Sequence, residues 1–107
     1  MRYDIVLAPS AVRELRALPA HLRAGVRDAL EQHLRHEPTK VSKSRIKRLR
    51  GLSRPQFRLR IDDLRVFYDV TDATVEVLAI ISKAQAADWL EERGTEEPGG
   101  SSGQGQR

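Results

Sequence analysis

No cysteine occurs among the 107 residues, which removes disulfide frameworks, thiolate nucleophiles and cysteine-based zinc sites together. Long apolar runs are missing as well: no stretch approaches the roughly 18 consecutive apolar residues that a membrane span requires. The opening residues, MRYDIVLAPS, lack the longer apolar stretch and cleavage site of a signal peptide. A soluble, cytoplasmic protein is the expectation. There is no internal repeat, and the isolated Gly51 belongs to no phosphate-cradling motif. His21, His33 and His36 have no metal-ligand spacing, and Glu91 and Glu92 do not form a dyad. Neither a metal nor a cofactor is expected, so any chemistry falls to other groups.

What is abundant is positive charge, and it is regional. Between Lys40 and Arg65 ten Lys or Arg stand against Asp62 and Asp63, a net +8, whereas the rest of the chain carries −4. Such asymmetry points to a polyanion facing one surface, most often nucleic acid. Within this region KSRIKRLRGLSRPQFRLR (residues 43–60) threads Ile, Leu and Phe between the basic side chains.

The apolar spacing predicts an α+β domain over residues 1–93. Tyr3, Ile5 and Leu7 alternate as in a half-buried strand that Pro9 ends. Ser10 reads as an N-cap, with Val12, Leu15 and Leu18 following at helical spacing. Pro19 opens a second helix, whose Leu22, Val26, Leu30 and Leu34 form one stripe. Residues 37–55, broken by Pro38, Gly51 and Pro55, read as a basic loop with a short helical turn near Arg45 to Arg50. FRLRI, LRVFYDVT and VEVLAII then read as three antiparallel strands, with Asp62-Asp63 as the first turn. KAQAADWLEE closes the domain as a short helix anchored by Trp89. The expected architecture is an N-terminal strand and helical hairpin packed on a mainly antiparallel four-stranded sheet. Residues 94–107 hold five of the seven glycines and no large apolar residue, so a disordered tail is expected there.

Strand alternation has a chemical consequence. With Phe57, Leu59, Val66 and Tyr68 turned to the core, Arg58, Arg60 and Arg65 share the opposite face. Like charges held together on a sheet repel, and a phosphate backbone compensates them, since each guanidinium presents a fork of donors that matches phosphate oxygens. The alternative is a solvated face paired with Asp62, Asp63, Asp69 or Glu76. Lys43, Arg45, Lys47, Arg48, Arg50 and Arg54 in the preceding loop are expected to add RNA-phosphate contacts that strengthen binding without reading sequence.

PQFRLRIDDLRVFYDVTDATVEVLAI, with the helical hairpin and RLRGL before it, resembles the RelE/ParE toxins of bacterial type II toxin-antitoxin modules over roughly residues 1 to 92. The resemblance implies a small α+β toxin bound by a cognate antitoxin. In the RelE branch it implies a metal-independent mRNA endonuclease acting in the ribosomal A site, where the ribose 2′-hydroxyl attacks the adjacent phosphate. Carried over by position, the catalytic residues fall on Arg58, Arg60 and Arg65, with Lys83 after the last strand. The chain departs from the pattern in having arginines where RelE toxins often have lysines, and no tyrosine near Trp89 to Leu90. Arginine is a poor general base. Two alternatives stay open: a ParE-like toxin that inhibits DNA gyrase, and an RNA- or ribosome-binding module that never cleaves.

Overall fold

Apolar alternation is realised as a five-stranded sheet in the computed structural model, which describes residues 1–98. The chain runs β1 (Asp4–Leu7), α1 (Pro9–Ala17), α2 (Ala20–Leu34), β2 (Ile46–Arg48), β3 (Leu52–Arg54), β4 (Phe57–Ile61), β5 (Leu64–Thr71), β6 (Thr74–Ser82), α3 (Lys83–Arg93) and β7 (Thr95–Glu96). The sheet order is β1-β6-β5-β4-β2, with β1 parallel to β6 and the other pairs antiparallel. The chain leaves β1 through both helices and returns by way of β4 and β5, so that β1 lies parallel beside β6 at the sheet edge.

The helical hairpin covers one sheet face. Ala11 and Leu15 of α1 and Val26, Leu30 and Leu34 of α2 pack on Phe57, Leu59, Val66, Tyr68, Val75, Val77 and Ile80. Leu22, counted in the α2 stripe, stands 39% exposed instead, one turn before the helix reaches the sheet. The second face is covered in part by α3, whose Ala86, Trp89 and Leu90 pack on Phe67, Ala79 and Ile81.

Three local expectations are corrected. The basic segment 37–55 is not a loop with a helical turn: Ile46 is buried, and β2 pairs antiparallel with β4, adding the fifth strand. Ala8 occupies the N-cap of α1 with Pro9 in its first turn, and the Ser10 hydroxyl donates instead to Leu78 O at 3.0 Å. The expected tail begins too early, because Thr95–Glu96 pairs with Leu52–Arg54 and Glu97 N donates to Gly51 O at 3.1 Å. The remainder of that expectation, residues 99–107, lies outside the described residues.

Tyr68 ties the irregular segment after α2 to the core. Its buried hydroxyl donates to Pro38 O at 2.6 Å, and its ring stacks on Phe57 at 5.5 Å between centroids. Burial pushes the phenol pKa well above its ordinary value. Above about pH 10 the unfolded chain therefore releases this proton while the folded chain keeps it, so stability falls as pH rises. Tyr68→Phe is expected to remove that part of the alkaline slope. At pH 7 it should cost about 1–3 kcal/mol by leaving the Pro38 carbonyl unpaired. Urea unfolding at pH 7 and above about pH 10 checks both effects.

Candidate nucleic-acid interface

Residues paired directly across neighbouring strands share a sheet face, so the register defines the basic surface row by row. One row runs Lys47, Arg58, Phe67, Ala79 across β2, β4, β5 and β6. In the next, Arg60 pairs with Arg65 and Arg65 with Ile81. Arg45 extends this row beyond β2, since Arg60 N donates to Arg45 O at 2.9 Å. Arg45, Lys47, Arg58, Arg60 and Arg65 thus alternate onto the side opposite the helical hairpin.

No carboxylate among the described residues forms an ion pair with this group. The ion pairs among the described residues join Arg35 to Glu31, Lys40 to Glu37, and Arg54 to both Asp69 and Glu76. Arg58 is half-buried, and its Nε is enclosed without a hydrogen-bond partner among the described residues. Burial, followed by the nearby charges of Arg65 and Arg60, lowers its pKa from the ordinary guanidinium value. A charge held under those conditions destabilises the free protein and is relieved by an anion.

Arg65 occupies a different environment. It is 7% exposed, and its Nη1 donates to Asp62 O at 2.8 Å and Leu64 O at 2.9 Å. Asp62 takes the left-handed conformation, φ +49°, which aspartate tolerates better than most residues. Lys83 N closes the same turn on Asp63 O at 2.7 Å, while the Lys83 side chain stays exposed. Arg65 therefore braces the turn that ends the Arg60 row.

The expected RNA-binding residues separate into groups. Arg45 and Lys47 join the face, and Arg45 also donates through Nη1 to Arg60 O at 3.1 Å. Lys43 and Arg50 are exposed on either side of β2. Arg48 pairs with Phe57 on the hairpin side, its guanidinium 5.3 Å from the Phe57 ring centroid and bonded to Gln56 O at 2.9 Å. Arg54 lies at the far end, held at 3.2 Å by Asp69 and 3.3 Å by Glu76. Asp69 also accepts from Gln56 N at 2.8 Å; its pKa is raised, chiefly by burial.

Sequence reasoning missed what stands beside Arg58. Phe67 is 1% exposed on the arginine face and stacks on Trp89 of α3, ring centroids 5.0 Å apart and 3° from parallel. The face is open at its β2 and β4 side and roofed at its β6 side. An apolar Phe67 between Val66 and Tyr68 was the available signal, because three consecutive apolar residues in a strand require cover on both faces. Among the described residues no group of three or more His, Cys, Asp or Glu is placed to hold a metal ion. No helix among them is long and apolar enough to cross a membrane.

This fold, with a basic face built on an antiparallel hairpin, defines a toxin of the RelE/ParE class. A family model described as the ParE toxin of the type II toxin-antitoxin system parDE matches residues 5–87, and the chain belongs to that family. It is similar to a chain of the RelBE2 toxin-antitoxin complex of Mycobacterium tuberculosis, with 27% identity, 77% of this chain and 99% of that one covered, and a TM-score of 0.58. The archaeal RelE-RelB complex of Pyrococcus horikoshii OT3 gives 26%, 79%, 99% and 0.60. A mutant of the E. coli toxin RelE in the free state, at 24% identity, shares the fold over 86% of this chain and 94% of its own, with a TM-score of 0.64. No curated protein matches the chain in sequence.

Proposed function

We propose that the protein is a ribosome-dependent mRNA endonuclease that lays the phosphate backbone across Arg45, Lys47, Arg58 and Arg60 and is neutralised by a cognate antitoxin. The carrying observation is the paired basic rows without a carboxylate, with Arg58 half-buried among like charges. In the reaction the 2′-hydroxyl loses its proton to water as its oxygen bonds to phosphorus, the bond from phosphorus to the 5′-oxygen breaks, and the 5′-oxygen takes a proton. Arg58 and Arg60 stabilise the charge that builds on the phosphoryl oxygens. Arginine does not exchange protons at neutral pH. Lys47, the Cα partner of Arg58, brings an N–H donor to the same row and in this reading gives its proton to the departing 5′-oxygen. Lys83 adds charge at the turn end.

Primer extension on a translated message, with purified toxin, tests the reading: A-site cuts are expected, and their absence rejects it. Lys47→Arg keeps the charge but not the exchangeable proton, and is expected to lower cleavage by about 10²- to 10⁴-fold while RNA affinity holds. Arg54→Ala is expected to leave the salt dependence of RNA binding unchanged, because its charge is already matched by Asp69 and Glu76. Arg60→Ala should reduce that slope by about one. Anisotropy titrations over a salt series compare them.

Gyrase inhibition is the second reading, favoured by the ParE family model and by the engagement of Arg65 with the turn carbonyls. A supercoiling assay separates the two. Inhibited supercoiling with intact mRNA selects the gyrase reading.

A further inference from the structure

The first strand is shorter than its neighbour, and this leaves part of β6 without a strand partner. β1 pairs with Thr74 to Val77, and Ala8 N reaches Val77 O at 2.8 Å; beyond that point β6 continues to Ser82. Lys83 N donates to Asp63 O, so Asp63 and Lys83 face each other as a hydrogen-bonded pair. Alternation along the antiparallel ladder then turns the backbone groups of Ile80 and Ser82 outward, away from β5. Two side chains of α1, one turn apart, cover the start of this edge. Ser10 Oγ donates to Leu78 O at 3.0 Å, and Glu14 Oε1 accepts from Ile80 N at 2.8 Å. The Ile80 carbonyl and the Ser82 N–H have no partner among the described residues.

This edge opens into a groove of about 610 Å³ between α1 and α3. Its apolar floor includes Leu18, Leu64 and Trp89, and its rim carries Glu14, Asp88 and Glu92. Among the described residues no Lys, Arg or His lines it, and none of the three carboxylates forms an ion pair. The groove is therefore acidic on a chain of net charge +4.

We propose that this groove is a second docking surface, which takes an extended segment of a partner protein with basic and aliphatic residues in alternation. An outward acceptor and donor two residues apart suit a peptide backbone that adds to the sheet. Alternate side chains of such a segment meet the apolar floor and the carboxylate rim. Nucleic acid is opposed by the same three carboxylates. The surface meets the margin of the basic face at Ile81 and Trp89 but includes none of its arginines or lysines, and it does not depend on what they bind.

Trp89 is the chain's one tryptophan, so its fluorescence reports occupancy in the full chain. The probe is a capped heptapeptide of alternating lysine and valine, with an alternating glutamate and valine peptide as control. Saturable emission change is expected with the basic peptide and not with the acidic one. Asp88→Asn with Glu92→Gln, both exposed on α3, should weaken binding by roughly fivefold, as expected for two exposed charge pairs. Alternate N-methylation of the peptide backbone should abolish binding. Equal response to both peptides, no response to either, full affinity in the double variant or full affinity after N-methylation would each overturn the proposal. So would an emission change produced by single-stranded RNA and untouched by the double variant, which would place Trp89 in the service of the basic face.

Discussion

Arg58→Met is expected to lower A-site cleavage by about 10²- to 10³-fold, the loss typical of removing one preorganised group that stabilises transition-state charge. The same substitution should leave thermal stability unchanged or raise it. Arg58 is half-buried, its Nε has no hydrogen-bond partner among the described residues, and burial and the charges of Arg65 and Arg60 all disfavour its ionised form. Methionine keeps an unbranched stem beside Phe67 and removes the charge. A residue whose loss costs activity while relieving the folded state is the signature of a site held for function. Primer extension and thermal melts on the same preparation decide it. Unchanged cleavage, or a fall in melting temperature large enough to account for the lost activity, removes Arg58 from the mechanism.

Leu59→Ala carries the second large effect, on stability. Leu59 is fully buried between Arg58 and Arg60, paired with Val66 and Ile46 across the two neighbouring strands. Truncation is expected to cost about 2–5 kcal/mol through lost burial and the cavity left behind. Because β2 hangs on β4 through this row, the loss should fall unevenly, with Arg45 and Lys47 loosened before β5 and β6. Hydrogen exchange that rises first at Ile46 to Arg48 is the expected pattern. A uniform rise over the whole sheet would mean that β2 is no weaker than the central strands.

The two substitutions act on adjacent positions through opposite faces. The apolar residues within the basic stretch hold the strand, and their register aims the charges. An isolated basic segment would solvate its side chains separately, whereas β2, the preceding Arg45 and β4 together hold four of them in two opposed pairs.

Much of this was legible in the residues. Period-two alternation in Phe57 to Ile61 and Leu64 to Val70 determined which side chains share a face, because a pleated strand allows no other arrangement. The Asp62-Asp63 turn, the helix opened by Pro19 and the stripe of Val26, Leu30 and Leu34 follow from equally local rules, and the charge asymmetry marked the surface on which to look. Pairing between distant segments was not legible. Nothing local declares that Ile46 to Arg48 lies beside Phe57 to Leu59, that Thr95–Glu96 lies against Leu52–Arg54, or that Trp89 roofs Phe67. Such contacts depend on where other elements leave an edge or an apolar face uncovered, a property of the assembled sheet. For the same reason Arg54, Arg58 and Arg65, identical as side chains, diverged. Tertiary structure gave one two carboxylates, another a half-buried place among like charges, and the third two turn carbonyls.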